Sequence, residues 1–292
     1  MTLCSMDDAV DDINLMTLCS MDDAVNDINL SDSEDPANEF ANTPYFHINK
    51  SGFPLDEDTW LEMWRRVRVL HPDGKSVVIK IQTKESHPAV PLLVEPKLSL
   101  KIGTREKIDA IQKYLNKLEY NHTGTQFFQI KMNRPIAGLT ETAKEIMRSR
   151  LPIKCLEAVI VGLYLSSGVN NILRFTIRFK SKFEGHTYRH IVLGIYGNFN
   201  YGTLGLSRRD TLMYKPLEYK TLPQLIFDFR DAYKDCCHQL VKVKFSTPIP
   251  KDVRSVEKVY WDYFTVPLGK LTEEEIKASV EKYSRTLRSN QI

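Results

Sequence analysis

Residues 151–162 read LPIKCLEAVIVG, and this stretch decides which fold and chemistry the chain can have. The residues from Cys155 onward are nearly all apolar, which predicts a buried helix that begins at Cys155 or just before it. A thiol at that position meets backbone N–H groups and the positive end of the helix dipole, which favour the thiolate, and Lys154 adds a neighbouring cation. Cys155 is therefore a candidate nucleophile, although a cysteine on a buried helix is more often a small packing residue.

Two later segments supply a candidate base and a third polar residue. The alternating sequence TYRHIVLGIY, residues 187–196, predicts a strand in which His190 shares a face with Tyr188 and Val192. Ser207 lies in the glycine-containing segment that follows, within YGTLGLSRRD. A cysteine that starts a helix, a histidine on a strand and a polar residue after it is the chain order of papain-like and transglutaminase-like cysteine enzymes.

Upstream of these segments the pattern is helical. A helix is predicted from Asp56 to the HPDG turn at residues 71–74, and a second helix opens at Thr104 after the proline-rich connector HPAVPLLVEPK. Their apolar stripes are Trp60, Met63, Trp64 and Val67 in the first helix, and Ile108, Ile111, Leu115 and Leu118 in the second. The tryptophan stripe indicates either core packing or a face that receives a partner helix.

Downstream, helices alternate with strands, which indicates an α+β fold. A helix is predicted at ETAKEIMRSR (141–150) and a strand at RFTIRFKSKF (174–183). Residues 221–243, TLPQLIFDFRDAYKDCCHQLVKV, are predicted to form one long amphipathic helix capped by Thr221. A last helix follows a capping box between Thr272 and Glu275.

The five cysteines predict no metal site and no disulfide framework. They form no CxxC pair, and Cys236, Cys237 and His238 fall in the predicted long helix, where consecutive side chains point in different directions. We therefore expect reduced thiols and neither a metal nor another cofactor. No run approaches 18 apolar residues and no secretory signal is visible, which predicts a cytosolic protein without a membrane span.

Charge divides the chain into an acidic start and a basic remainder. Residues 1–45 contain 11 Asp or Glu and no Lys or Arg, whereas residues 46–292 hold all 40 basic residues against 26 acidic ones. A 15-residue tandem repeat lies within this start, MTLCSMDDAVDDINL followed by MTLCSMDDAVNDINL. The whole start is interpreted as a disordered acidic tail, and the alternative is a pair of short helices that bind a partner. The basic remainder predicts an acidic partner. Nucleic acid is not favoured, because interleaved aromatic residues and a known motif are missing.

Five segments of the chain resemble the vasohibins, the tubulin carboxypeptidases. They are YNHTGTQFF (120–128), LPIKCLEAVIVG, RHIVLG, LGLSRRDTLMYKP and SGFPLDEDTWLEMW, in consistent order from about Phe46 to about Val266. The resemblance implies a transglutaminase-like (papain-like) cysteine peptidase core, residues 137–292, behind an N-terminal helical subdomain, residues 46–136. It further implies removal of the C-terminal tyrosine of α-tubulin in the cytoplasm, at the cytoskeleton. Small vasohibin-binding protein is the helical partner that it implies for the N-terminal helices.

The same resemblance implies roles for site residues. Cys155 is the nucleophile, His190 the general base, and Ser207 the third member of the triad. A hydroxyl orients an imidazole weakly, so a backbone carbonyl in the Ser207 segment could share that task. The Tyr120 hydroxyl and the Cys155 N–H are the expected oxyanion hole.

An acidic tail that ends in a carboxylate requires basic residues near the thiol. The candidates are Lys131, Arg134, Lys154, Arg208 and Arg209. Met132 lies where close relatives often carry lysine. The alternatives are a non-catalytic binder of acidic tails or microtubules, and a secreted signalling factor. Intact Cys155, His190 and Ser207 argue against the first, and the absence of a visible signal peptide argues against the second.

Overall fold

The structure of the chain is a computed structural model that describes residues 57–70, 72–84, 93–99, 101–122 and 126–289. Its helices are α1 (Glu57–Leu70), α2 (Gly74–Gln82), α3 (Thr104–Leu118), α4 (Ile136–Ser149), α5 (Cys155–Leu165), α6 (Leu222–Asp235) and α7 (Glu273–Ser289). Its strands are β1 (Ile172–Phe183), β2 (His186–Gly197), β3 (Asn200–Leu204), β4 (Lys215–Tyr219), β5 (Gln239–Phe245) and β6 (Phe264–Val266). The predicted acidic tail and its tandem repeat lie outside the described residues.

The strands form one antiparallel sheet in the order β4-β3-β2-β1-β5-β6. The centre of the sheet is the hairpin of β1 and β2, which turns at Glu184 and Gly185 with positive φ angles of 47° and 81°. Strand β3 pairs only with Leu193–Gly197 of β2. The first part of β2, which carries His190, therefore has an edge that β3 does not cover.

Each face of the sheet packs against its own helices. Ile191, Leu193 and Ile195 of β2 lie in a core with α3, α4 and α5, whereas Val192 lies in a second core with α6 and α7. This arrangement confirms the predicted alternation along β2 and the α+β class. Helix α3 shares one core with α4 and α5, so this core extends across the predicted subdomain boundary between residues 136 and 137. The division into subdomains stays a prediction.

Helix α5 is held between the sheet and the rest of the first core. Its residues from Leu156 to Leu163 are buried because the run is apolar on every side. At its C-terminal end, Arg174 of β1 donates from Nη1 to the Leu163 carbonyl oxygen at 2.6 Å. The Ser166 hydroxyl donates to the same oxygen at 3.4 Å, so side chains satisfy this carbonyl near the end of the helix. The first residue of α5 is thereby mounted on a rigid element.

Several predicted boundaries are confirmed. Helix α3 begins at Thr104 and buries the predicted stripe, and α5 begins at Cys155. Thr221 caps α6 together with Gln224. Thr272 and Glu275 form the predicted capping box, in which the Thr272 N–H donates to Glu275 Oε2 at 2.8 Å.

One element was assigned wrongly, and strands β3, β4 and β6 had no prediction. The segment 221–243 is not a single helix, because α6 ends at Asp235 and the chain continues as β5 from Gln239. The chain reverses at Cys237, whose φ of 62° is left-handed, and Val243 and Phe245 then alternate inward. Helix α2 had no prediction.

The segment that joins α6 to β5 differs from its expected structure. Cys236 and Cys237 follow the last helical turn, and His238 Nδ1 lies 3.1 Å from Ser181 Oγ in a buried site. In the ranges that the structure describes, no group of three or more His, Cys, Asp or Glu residues is placed to hold a metal ion. None of the helices described is both long and apolar enough to span a membrane.

Candidate active site

The site begins at the N-terminus of α5. Lys154 precedes the helix with an extended backbone, at φ −98° and ψ −178°, and Cys155 is the first helical residue. Glu157, only 2% exposed, turns its carboxylate back to accept the backbone N–H groups of Lys154 and of Glu157 itself. These contacts satisfy helix-end donors and hold the first turn in place. An acidic residue at the third helical position was the sequence signal for this cap.

Cys155 contacts the backbone of β2 at the residue that follows His190. The Cys155 sulfur accepts hydrogen bonds from the backbone N–H groups of Leu156 and of Ile191, the residue after His190. Ile191 belongs to the part of β2 that β3 leaves uncovered. The packing of α5 on β2 therefore brings Cys155 to the residue next to His190, although the two are 35 positions apart in the sequence.

The His190 ring is held through its Nε2 atom. Nε2 lies 2.7 Å from the carbonyl oxygen of Leu212. A carbonyl can only accept a hydrogen bond, so Nε2 carries the hydrogen and Nδ1 of the neutral ring has the lone pair. The ring also stacks on Phe179, with centroids 6.1 Å apart. The histidine is thus in a single tautomer and orientation.

Leu212, rather than Ser207, contacts the imidazole in the described structure. Ser207 Oγ accepts the backbone N–H of Arg209 at 3.3 Å, which shapes the turn after it. The sequence suggested that a backbone carbonyl of this segment could orient His190, but nothing in it identified Leu212. A triad role for Ser207 stays a prediction.

The protonation states differ from the expected thiolate. Burial, together with the negative charge of Glu157, raises the pKa of the Cys155 thiol to about 11. The N–H groups of Ile191 and Leu156 and the charge of Lys154 lower that pKa by less. Burial also lowers the pKa of His190 to about 4, although the hydrogen bond to Leu212 opposes the shift. The resting pair at neutral pH is therefore a thiol and a neutral imidazole.

Tyr120 is placed by a short backbone pairing with the segment before α5. Tyr120 bridges Ile153 in parallel, and the Asn121 N–H donates to the Ile153 carbonyl oxygen at 2.9 Å. The Tyr120 ring lies under Arg208, whose Cζ is 5.6 Å from the ring centroid. Since Ile153 is two residues before Cys155, this pairing brings Tyr120 and Arg208 to the start of α5.

The five predicted substrate-binding cations separate into two groups. Lys154 and Arg208 lie at the site, the first next to Cys155 and the second over Tyr120. Lys131 and Arg134 are exposed on the turn before α4. Arg209 lies near His238, whose pKa is lowered by burial and, to a lesser extent, by the charge of Arg209. Among the described residues, the contacts do not connect these last three side chains to Cys155. Met132, on the same turn, accepts Trp261 Nε1–H through its carbonyl oxygen at 2.9 Å.

The chain is similar to known proteins over most of its length. A family model described as Vasohibin matches residues 44–288. The mouse protein tubulinyl-Tyr carboxypeptidase 1 is 43% identical over 243 residues, which is 83% of this chain. The chain spans 65% of the length of that relative. An antiparallel six-stranded sheet with helices on both faces is consistent with a vasohibin or papain-like cysteine peptidase fold.

Proposed function

The chain belongs to the vasohibin family, and from that premise we propose that it is a cysteine carboxypeptidase that removes the C-terminal tyrosine of α-tubulin. The observation that carries the proposal is the arrangement at β2. The Cys155 sulfur rests on the N–H of Ile191, and the adjacent His190 is held by Leu212 with Nδ1 as its basic nitrogen. The name of the mouse relative supports both the reaction and the substrate.

The chemistry follows from the two neutral groups. His190 Nδ1 takes the thiol proton as the Cys155 sulfur attacks the carbonyl carbon of the last peptide bond. The imidazolium then protonates the leaving tyrosine amine, and a thioester remains on Cys155. Water, deprotonated by His190, attacks the thioester carbonyl and the C–S bond breaks. The shortened tail leaves as a carboxylic acid, and the imidazolium returns its proton to the Cys155 sulfur. The Tyr120 hydroxyl and the Cys155 N–H are proposed to hold the oxyanion in both steps.

The substrate tail is proposed to bind through Arg208 and the other basic candidates. Arg208 is half-buried and presents a planar fork, which suits a carboxylate better than a flexible ammonium does. The ring of Tyr120 below it restricts the guanidinium plane. Lys131 and Arg134 are exposed and suit the glutamates that precede the terminal tyrosine. The terminal carboxylate is therefore assigned to Arg208.

A helical partner, small vasohibin-binding protein, is proposed to bind the hairpin of α1 and α2. Trp60 and Trp64 stack with centroids 5.5 Å apart, yet Trp60 is 40% exposed. Leu61, Val69 and Ile79 are still more exposed. Apolar side chains at this density outside a core are typical of a surface that a partner covers. The tryptophan stripe of α1 is thus only partly buried by packing within the chain.

The proposal is tested by incubating the purified chain with αβ-tubulin, with and without the helical partner. The expected result is free tyrosine together with α-tubulin that is lighter by one tyrosine residue, in at least one of the two conditions. Prior alkylation with iodoacetamide should abolish the release. If the chain binds tubulin but releases no tyrosine in either condition, the proposed enzymatic activity is wrong and a non-catalytic binder of acidic tails is favoured.

Replacing Arg208 by alanine is expected to raise KM for a tubulin-tail peptide by about 10-fold or more, because a charge-assisted carboxylate contact is lost. Steady-state kinetics with a peptide that ends in tyrosine measure this change. Arg208→Lys should recover only part of it, since lysine lacks the fork. The matched control is Arg285→Ala, an exposed arginine on α7. Equal KM values for Arg208→Ala and Arg285→Ala would exclude the proposed carboxylate contact.

The acid limb of kcat/KM is expected near pH 4 rather than near the ordinary histidine value of about 6.5. His190 accepts a proton only while it is neutral, and its lowered pKa keeps it neutral until the pH falls to about 4. The rate between about pH 5 and 7 should therefore be nearly level. A peptide assay, with recovery checked after return to neutral pH, measures the profile. An acid limb near pH 6.5 would contradict this environment for His190.

A further inference from the structure

A loop between β3 and β4, residues 205–214, carries several of the proposed site groups. We call it the site loop. It contains Ser207, Arg208 and Arg209, and its Leu212 carbonyl accepts the Nε2–H of His190. Any displacement of this loop would therefore reach both the base and the proposed carboxylate contact. The question is what holds the loop in place.

Helix α3 holds the start of the site loop through Gln112. Gln112 is 3% exposed and makes two hydrogen bonds to the backbone of one residue, Gly205. Its Nε2 donates to the Gly205 carbonyl oxygen at 2.8 Å, and its Oε1 accepts the Gly205 N–H at 3.1 Å. Nε2 also donates to Asn116 Oδ1 at 2.7 Å, which fixes the orientation of the amide. The side chain substitutes for a strand partner where β3 ends.

The end of the site loop is held by the same helix, one turn earlier. The Tyr214 hydroxyl donates to Asp109 Oδ1. Asp109 and Gln112 are three residues apart and share a face of α3. Between them, Thr203 of β3 donates from Oγ1 to the Met213 carbonyl oxygen at 2.8 Å. The two residues that follow Leu212 in the chain, Met213 and Tyr214, are thus both fixed by side-chain hydrogen bonds.

We propose that Gln112 and Asp109 are positioning residues for His190, acting through the two ends of the site loop. This role rests on the proposed function, in which His190 is the base. Neither residue touches His190. Their effect passes from α3 to Gly205 and Tyr214, then to the Leu212 carbonyl, and finally to the imidazole tautomer. Helix α3 is distant in sequence from Cys155, so the N-terminal part of the chain contributes to the proposed site.

Release of the site loop should change the tautomer of His190. With Leu212 in place, Nε2 keeps the hydrogen and Nδ1 stays available to the thiol. Without that acceptor the two neutral tautomers become comparable in population, and part of the enzyme presents an N–H to the thiol instead of a lone pair. The tautomer of His190 therefore reports directly whether Gln112 and Asp109 hold the site loop in place. It can be measured whether or not the enzyme is active.

The experiment records nitrogen NMR shifts of the full chain with ¹⁵N-labelled histidine, with His190 assigned from a His190→Gln sample. In the unmodified protein His190 should show the neutral Nε2–H tautomer. Tyr214→Phe, Asp109→Ala and Gln112→Glu should each shift it towards a mixture of tautomers. They should also lower kcat for tyrosine release by about 10- to 100-fold per titrated active site, because the base is misplaced. Asp109→Asn keeps an acceptor for the Tyr214 hydroxyl and should restore both values.

Tyr114→Phe is the matched control, because it removes a hydroxyl from a buried tyrosine of the same helix. It should leave the tautomer and kcat unchanged. If Gln112→Glu does not fold, Tyr214→Phe and Asp109→Ala decide the question, since they alter a half-buried contact. Folded variants with an unchanged His190 tautomer would overturn the proposal and make α3 a scaffold. If the unmodified protein is inactive but the variants show the expected tautomer shifts, the proposed function is wrong, whereas the positioning of His190 by Gln112 and Asp109 still holds.

Discussion

Replacement of Cys155 by alanine is expected to lower tyrosine release by at least about 10⁴-fold, which is the scale on which a lost nucleophile acts. The thiol is the group that forms the covalent bond to the tail, and no other described cysteine lies at this site. Cys236 and Cys237 are at the far end of α6. Binding of the tail should stay within about twofold, because the sulfur contributes little to ground-state affinity.

The measurement is tyrosine release from αβ-tubulin in parallel with a pull-down of the variant on tubulin. Cys236→Ala is the matched control, since it removes another half-buried cysteine, which follows α6 instead of starting α5. Thermal unfolding of both variants shows whether the small loss of side-chain volume affects the fold. Substantial release by Cys155→Ala would mean that LPIKCLEAVIVG is structural and that the nucleophile lies elsewhere.

The start of α5 could be predicted because several local signals coincide there. Pro152 and Lys154 precede a run that is nearly all apolar, in which a helix N-terminus was predicted at Cys155. Strand β2 was equally clear, because its alternating residues face two different cores. Signals of this kind depend only on neighbours in the chain. They were enough to identify Cys155 and His190 as candidates.

The partner of His190 could not be predicted in the same way. Leu212 contributes a backbone carbonyl, which every residue has, so no side-chain type identifies it. Its position depends on Gln112 and Tyr214, which act across the fold. Ser207 drew attention because it has a hydroxyl, whereas in the structure that hydroxyl shapes a turn.

The thiolate expectation failed for a related reason. The helix end and Lys154 do lower the pKa of Cys155, as the sequence indicated. Burial acts in the opposite direction and is larger, but burial depends on β2 and on the packing of α5 against it. A sequence shows the local charges near a thiol and does not show how much water is removed. The balance of the two effects belongs to the folded chain.

The same balance gives the second large prediction, which concerns His190. Replacement of His190 by alanine is expected to lower kcat by about 10² to 10⁴-fold. With the thiol pKa raised to about 11, very little thiolate exists at neutral pH without a base beside it. The loss in kcat should therefore be largest at low pH and should become smaller as the pH rises towards the pKa of the thiol.

His186→Ala is the control, because it removes an exposed histidine from the same strand. Release should be measured from about pH 6 to 9 for both variants, together with the rate at which iodoacetamide alkylates Cys155, followed by intact mass. Slower release and slower alkylation for His190→Ala alone would agree with a base that acts on the Cys155 thiol. Release by His190→Ala equal to that of His186→Ala across this range would exclude His190 as the base, because loss of the base must slow attack by a thiol whose pKa is about 11.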